Sequence, residues 1–282
     1  MKKKKPYKKE KVISTIILAS GASQRFGSCK YVEKINGIPL IYWSLRPFIK
    51  LSEKYKTIIT LVAGPFYDTF IQLMKNNKEP FYNRTIQFIE EKDIDYDLSI
   101  IGNLFSNKKS SKGKSLKLET DKNIIKINIC KNENFEKGMF SSYKKGLNLT
   151  LKIFKNKMNF TKFNKAIIIS LADMPFIKPE IILNLIDKLN SKFIDYSVPY
   201  FKGYTKILNK ALNTNKIIQG KKGHPIALKP SFALKISKFD DKITLRDALK
   251  IGKIKLLKTE DKSVLIDIDK KEDIDIIKTL IY

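Results

Sequence analysis

The chain has 282 residues, 43% of them hydrophobic, which is enough for one large α/β domain with a sizeable core. Lysine and arginine number 56 against 28 acidic residues, so the formal charge is +28, yet only four of the basic residues are arginines. Surfaces that bind nucleic acid use the arginine fork as well as lysine, so this scattered lysine argues against nucleic acid as the partner. The charge still attracts small anions such as nucleotides.

Membrane and secretory signals are absent from the sequence. No run of about 18 apolar residues occurs, which excludes a transmembrane helix. Residues 1–11 are strongly basic and are expected to be a disordered tail. The apolar segment after them is too short for a signal peptide and lacks a cleavage site. Cys29 and Cys130 fit no metal or redox spacing, so we expect a reducing, cytoplasmic environment.

Strands and helices alternate along residues 12–282. The predicted strands are Val12–Leu18, Thr57–Ala63, Thr85–Ile89, Asn123–Cys130, Lys165–Leu171, Asp195–Pro199, Pro225–Leu228 and Ser263–Ile268. The predicted helices are Pro39–Ile49, Phe66–Met74, Met139–Phe154, Pro179–Asn190, Ser231–Ile236 and Thr244–Leu249, with a short one after the first strand and another at the end. This order predicts a single Rossmann-like, doubly wound α/β domain, with a mostly parallel sheet in three α/β/α layers. Insertions are expected near residues 91–122 and 204–219.

The loop after the first strand carries the first chemical signal. It is flexible and then cationic, reading SGASQRFGSCK from Ser20 to Lys30. Gly21 and Gly27 would let the backbone approach a phosphate, and Arg25 and Lys30 could neutralise a leaving pyrophosphate. From these residues alone, a phosphate-binding loop and a plain strand-to-helix turn are equally good interpretations.

Residues 18–30 (LASGASQRFGSCK) and 36–40 (NGIPL) resemble the signature of the MobA-like NTP transferases, whose fold is that of the nucleotide-diphospho-sugar transferases. Ser20 stands where that family has Ala or Gly, and Phe26 where it has Met. The resemblance implies that Arg25 and Lys30 are catalytic. It also implies that the nucleotide is bound by Leu18, Ala19, Ser20, Gly21, Ser23 and Gly27.

Two carboxylates are candidates for a metal site. Asp173 ends a predicted strand in the stretch LADMP, where it could either hold Mg²⁺ or cap the next helix. The stretch is similar to the family's Asp-Met-Pro motif, which favours the metal role and a catalytic part for Asp173. Residues 267–273 (DIDKKED) are similar to another family motif. Asp267 is favoured as the second metal ligand, and Asp269 as a cap of the last helix.

Two further motifs bear on the nucleotide and the acceptor. Residues 132–147 (NENFEKGMFSSYKKGL) resemble the molybdenum cofactor cytidylyltransferase branch, and Ser142 is a better match for a nucleotide contact than Ser141. His224, in residues 223–228 (GHPIAL), is either a substrate-binding residue or a structural hydrogen-bonding one. The branch's last motif is poorly kept, with mainly Arg246 retained.

The resemblance implies transfer of CMP from CTP to molybdopterin with release of pyrophosphate. Mg²⁺ or Mn²⁺ would be the cofactor, molybdenum hydroxylases would receive the product, and neither nucleic acid nor membrane would be a partner. Two alternatives stay open. The chain could be an NTP transferase for another phosphorylated acceptor, by GTP-dependent guanylyl transfer or on a sugar or alcohol phosphate. It could also be a non-catalytic basic protein that binds RNA or another anion.

Overall fold

The computed structural model describes residues 11–23, 25–76, 85–93, 124–202 and 220–280. The predicted basic tail, apart from Lys11, lies outside these residues. So do the predicted insertion at 204–219 and most of the one near 91–122.

One mixed sheet forms the centre of the molecule. The strands within the described ranges are β1 (Val12–Ala19), β2 (Lys34–Ile35), β3 (Ile38–Pro39), β4 (Lys56–Ala63), β5 (Thr85–Glu90), β6 (Ile124–Lys131), β7 (Asn164–Leu171), β8 (Tyr196–Phe201), β9 (Lys221–Lys222), β10 (Ile226–Leu228) and β11 (Ile254–Thr259). The sheet order is β11-β8-β10-β7-β1-β4-β6-β5, with β9 paired to β8 and β2-β3 a separate pair. Within the sheet, only the pairs that involve β10 or β9 are antiparallel. The predicted mostly parallel α/β fold is confirmed.

Helices cover both faces of this sheet. They are α1 (Leu40–Leu51), α2 (Tyr67–Asn76), α3 (Met139–Ile153), α4 (Lys157–Phe163), α5 (Pro179–Lys188), α6 (Pro230–Ile236), α7 (Leu245–Leu249) and α8 (Lys271–Leu280). The short helix predicted after β1 is a single 3-10 turn at Lys30–Val32. Among the residues described, no helix is both long and apolar enough to cross a membrane.

The central strand explains the three layers. β1 is buried at every position and pairs in parallel with β4 on one side and β7 on the other. Because side chains alternate along a strand, Ile13 and Ile17 pack with α1 and α5 on one face of the sheet. Ile16 and Leu18 pack with α3 and α6 on the other. A strand buried on both faces is a near-continuous apolar run, which is what residues 12–19 are.

The end of the chain differs from its prediction. Residues 262–265 form a 3-10 turn and residues 266–269 contain no strand, so the predicted closing strand Ser263–Ile268 is wrong. The Asp261 side chain accepts a hydrogen bond from the Ser263 N–H at 3.0 Å, which caps the turn and ends extended backbone. The strand at this edge of the sheet is β11, which the sequence did not predict because Lys255 and Lys258 interrupt its apolar pattern. Lysines of this kind are typical of edge strands.

Candidate functional site

The candidate loop leaves β1 at the carboxyl edge of the sheet. Leu18 and Ala19 are buried as the last residues of β1. The Ser23 carbonyl accepts hydrogen bonds from the N–H groups of Phe26 and Gly27, at 2.9 and 3.0 Å. Gly27 has φ +77, a left-handed conformation that favours glycine. The loop is therefore a closed turn, and it sits where ligands of open α/β sheets bind.

Phe26 fixes this loop to the end of the chain. Its side chain is buried with Ile35, Leu40, Ile268 and Ile274 in a small apolar cluster. Phe26 therefore makes the apolar contact between the loop and the segment that carries the aspartates.

Lys30 is the centre of an ion cluster. Its side chain is only 8% exposed. The ammonium donates to Asp173 Oδ2 at 2.6 Å and to the Ile268 carbonyl at 2.7 Å, and it lies 3.7 Å from Asp269 Oδ1. The loop, the end of β7 and the C-terminal segment therefore meet at one cation.

Asp269 joins the second cation of the loop to this cluster. Its Oδ2 lies 3.0 Å from Arg25 Nη1, and the Arg25 side chain is 68% exposed. The expectation that Asp269 caps the last helix is wrong. Asp273, the third residue of α8, instead reaches back, and its Oδ2 accepts hydrogen bonds from the N–H groups of Asp269 and Lys270 at 2.9 Å. The carboxylate of Asp269 is left facing Arg25 and Lys30.

Asp267, the predicted second metal ligand, is an exposed residue on the non-strand segment before α8. Since this segment is not a strand, strand alternation does not place Asp267 and Asp269 on one face. Partial loss of solvent raises the pKa of Asp267, and the negative charges of Asp173 and Asp269 raise it further. The three carboxylates are thus close enough to repel one another.

The chemistry of these carboxylates fits a hard divalent cation. Asp173 Oδ1 is buried without a hydrogen-bond partner among the described residues, and carboxylate oxygens are the ligands that Mg²⁺ prefers. A complete set is not preformed. Nowhere in the part of the chain that the structure describes are three His, Cys, Asp or Glu side chains arranged to hold a metal ion. The cation beside Asp173 in this arrangement is the Lys30 ammonium.

A buried polar cluster lies on the other side of β1. The hydroxyls of Ser20 and Ser142 are 2.5 Å apart, and Asn132 Nδ2 donates to Ser142 at 2.9 Å and to Ser141 at 3.0 Å. Ser142 has no exposed surface and Ser20 is 8% exposed. The structure therefore brings together Ser20 and Ser142, two of the three serines predicted to bind the nucleotide, and Ser142 fixes the Ser20 hydroxyl. A direct contact of Ser142 with a nucleotide stays a prediction.

Three residues that support the site were not selected from the sequence. Asn132, which directly follows β6, orients Ser141 and Ser142 by donating to both hydroxyls. Gly64, which follows β4, allows close contact, since a Cβ there would lie 2.5 Å from the Ser20 carbonyl oxygen. Tyr31 is buried under the loop against Phe70, with ring centroids 5.4 Å apart. Asn132 and Gly64 each come directly after a buried strand, and that position could have identified them.

His224 lies at the same edge of the sheet, beyond β7. Because β10 is antiparallel to β7, His224, two residues before β10, lies at the carboxyl end of β7. The His224–Pro225 bond is cis, and the His224 N–H donates to the Val264 carbonyl at 3.0 Å. Burial lowers the pKa of the imidazole to about 4, although a hydrogen bond to the Ile169 backbone opposes this. Its Nδ1 is buried without a partner among the described residues. A neutral, fixed imidazole is suited to hydrogen bonding.

A cavity of about 610 Å³ opens near the start of α3. It is lined by Lys137, Lys144, Asp240, Asp241 and Lys242. The Lys144 ammonium lies 2.6 Å from Asp241 Oδ1 and donates to the Phe239 carbonyl at 2.8 Å, so part of this charge is already neutralised. Lys137, Lys242 and Asp240 are the other charged residues of its lining, so the cavity carries charges of both signs.

Comparison with known proteins identifies the fold. No protein-family model and no curated protein matches the sequence. A nucleotidyl transferase from Methanothermobacter thermautotroptrophicus has 12% identity and a TM-score of 0.55, over 95% of this chain and 96% of that one. The 4-diphosphocytidyl-2C-methyl-D-erythritol synthase of Anaerococcus prevotii has 14% identity and a TM-score of 0.51, over 96% and 98%. The bifunctional IspDF of Campylobacter jejuni has 16% identity and a TM-score of 0.54, over 93% of this chain and 53% of that one. The chain therefore has the fold of solved nucleotidyltransferases.

Proposed function

We propose that the protein is a nucleotidyltransferase that uses an NTP and releases pyrophosphate. One observation carries the proposal: the two cations of the signature loop, Arg25 and Lys30, meet Asp173 and Asp269 in one cluster at the carboxyl edge of the sheet. Cations for phosphates and carboxylates for a metal ion are the two charge sets that nucleotidyl transfer requires. The fold of its structural neighbours supports the same reaction class.

Each residue of the cluster has a part in the proposed mechanism. The acceptor's phosphate is already a nucleophile, so positioning and charge stabilisation suffice. Arg25 and Lys30 would hold the β- and γ-phosphates and stabilise the leaving pyrophosphate. Asp173, through its unpartnered Oδ1, and Asp267 would hold Mg²⁺ or Mn²⁺. When bound, that ion would neutralise charge on the phosphate oxygens.

CTP and molybdopterin are the substrates that we propose, and molybdenum hydroxylases the proteins that receive the product. The choice rests on the resemblance of residues 132–147 to the cytidylyltransferase branch. The Ser20 hydroxyl, held by Ser142, is suited to hydrogen bonding with the edge of a base or with a backbone amide of the loop. His224, whose Nδ1 is buried without a partner among the described residues, would accept a hydrogen bond from the acceptor.

A second acceptor class has support from one structural neighbour. The name of the Anaerococcus prevotii enzyme describes a cytidyl diphosphate joined to a methylerythritol. Transfer of CMP to a sugar or alcohol phosphate would use the same loop and carboxylates. Only the groups that contact the acceptor, such as His224, would differ in their role.

The nucleotide is tested first, by thermal shift with Mg²⁺ and each of CTP, GTP, ATP and UTP. We expect CTP to raise the melting temperature most. A larger shift with GTP would contradict the cytidylyl assignment, and no shift with any NTP would contradict the nucleotidyltransferase assignment in favour of a basic anion-binding protein. Pyrophosphate release with molybdopterin and with erythritol phosphates as acceptors then distinguishes the two acceptor classes.

The metal ligand is tested with Asp173→Asn. Loss of one carboxylate charge at the proposed metal site should lower pyrophosphate release by about 10²-fold or more. Asp187→Asn, an exposed residue of α5, removes the same charge away from the site and should leave the rate unchanged. Equal rates for Asp173→Asn and the wild type would show that the metal assignment is wrong.

A further inference from the structure

Asp269 connects both cations of the loop. One carboxylate oxygen pairs with Arg25 at 3.0 Å, and the other lies 3.7 Å from the Lys30 ammonium. The side chain is only 19% exposed, and its backbone N–H is held by Asp273. The carboxylate is therefore fixed between the two groups that the proposed function assigns to the phosphates.

Lys30 has little hydrogen-bonding capacity left in this arrangement. An ammonium group has three donors, and Asp173 and the Ile268 carbonyl take two of them at 2.6 and 2.7 Å. The third donor has the Asp269 carboxylate as a charged neighbour at 3.7 Å, which is too far for a hydrogen bond. With 8% of its side chain exposed, Lys30 can bind a phosphate oxygen only beside the negative charge of Asp269, which opposes that binding.

The same pairs also obstruct the divalent cation. Asp173 Oδ2 is bound to Lys30, so a divalent cation that binds the free Oδ1 of the same carboxylate is repelled by the adjacent ammonium. If the divalent cation and the triphosphate bind together, the phosphates replace the carboxylates as partners of Lys30 and Arg25, and the divalent cation replaces the ammonium as partner of Asp173. Binding of either ligand then favours binding of the other, and this coupling is reciprocal.

We propose that Asp269 is a positioning residue that keeps Arg25 and Lys30 neutralised until a metal–triphosphate complex exchanges partners with the cluster. The inference rests on the proposed function, because that function assigns the phosphates to these two cations. It adds that metal and triphosphate bind cooperatively, and that the Asp269 carboxylate lowers the affinity for a triphosphate without metal.

The test measures binding of inorganic tripolyphosphate by calorimetry in 0.15 M NaCl, with EDTA or with Mg²⁺. We expect Asp269→Asn to bind metal-free tripolyphosphate about three- to tenfold more tightly than the wild type, because Arg25 is released. The ratio of the affinities with and without Mg²⁺ should fall by a similar factor. Glu272→Gln is the matched control, since it removes the same charge from an exposed position three residues away and should change neither value by more than about 1.5-fold.

A double-mutant cycle separates restraint of Arg25 from simple repulsion. In an Arg25→Gln background, the gain from Asp269→Asn should shrink to less than about twofold. The same gain in both backgrounds, or no gain in either, would overturn the proposal. Wild-type protein that binds no tripolyphosphate even with Mg²⁺ would instead contradict the proposed function.

A second measurement does not depend on the Asp269 variant folding. Arg25 is mostly exposed, so Arg25→Gln should fold normally. Alone, this variant should weaken binding of tripolyphosphate with Mg²⁺ about tenfold and leave metal-free binding nearly unchanged, since Asp269 already occupies Arg25 there. An equal loss under both conditions would contradict the proposal.

Discussion

Lys30 illustrates how a single residue can organise a site. Its ammonium is buried, and it contacts two side-chain carboxylates and one backbone carbonyl from distant parts of the chain. A buried charge is retained only when it is paired and hydrogen-bonded, and all of its partners here are acceptors. Lys30 therefore holds the loop against the aspartates when no ligand is bound.

His224 allows a prediction at the same scale. It is the chain's only histidine, and burial lowers its pKa to about 4 from an ordinary value of 6.5. Between pH 6.5 and pH 4 the imidazole is protonated in the unfolded chain and neutral in the folded one. The folded state therefore has its full stability above about pH 6.5 and loses free energy of unfolding as the pH falls toward 4. From pH 7 to pH 5, the wild type should lose on the order of 2 kcal/mol more unfolding free energy than His224→Gln.

Urea unfolding of both proteins at the two pH values measures this difference. Between pH 7 and pH 8 the two proteins should change in parallel, which is the internal control, because the imidazole is neutral in both states. Identical pH profiles down to pH 5 would show that His224 is not buried in its neutral form.

At the scale of secondary-structure elements, the serine cluster lies where the carboxyl ends of β1, β4 and β6 meet. Ser20 follows β1, Gly64 follows β4, and the Asn132 N–H donates to the Ala63 carbonyl at 2.7 Å. The backbones after β1 and β4 approach so closely that a side chain at position 64 has no room. The position of Ser20 thus depends on β4, a strand that contributes no candidate site residue.

Gly64→Ala tests this contact. Its Cβ would lie 2.5 Å from the Ser20 carbonyl oxygen and 2.9 Å from the Ser20 Cα, both backbone atoms. The strand ends must separate, so we expect a loss of about 1–3 kcal/mol in unfolding free energy, measured by urea denaturation. Gly21→Ala is the control, since its Cβ would only make an ordinary 3.5 Å contact with Tyr31. Equal costs for the two variants would contradict the close approach.

Sheet order assembles the site at the scale of the whole molecule. β1 lies between β4 and β7, so its loop has the serine cluster on one side and Asp173 on the other. Lys30 is 143 residues from Asp173 and 238 from Ile268 along the chain, yet it binds both. The net charge of +28 opposes compaction of the chain through self-repulsion.

This repulsion predicts an unusual response to salt. Raising NaCl from about 0.01 M to about 0.15 M shortens the Debye length from roughly 30 to 8 Å, and we expect the melting temperature to rise by about 2–4 °C. Scanning calorimetry measures it, with choline chloride at equal ionic strength as the control, because screening does not depend on the cation. A lower melting temperature in salt would mean that attractive ion pairs outweigh the repulsion.

By itself, the sequence determined what depends on neighbours along the chain. The apolar run of β1, the glycine loop and the alternation of strands and helices are local patterns, and they predicted the parallel α/β fold and the edge where the loop lies. Asp269 instead of Asp267 beside Lys30 could not be predicted, because the choice depends on a turn at residues 262–265 and on the Ile268 N–H that donates to the Asp173 carbonyl at 3.0 Å. Asn132 and Gly64 could have been identified from the sequence as residues that follow strands, but their roles could not. Their roles arise from contacts between strand ends, and only the tertiary structure brings those ends together.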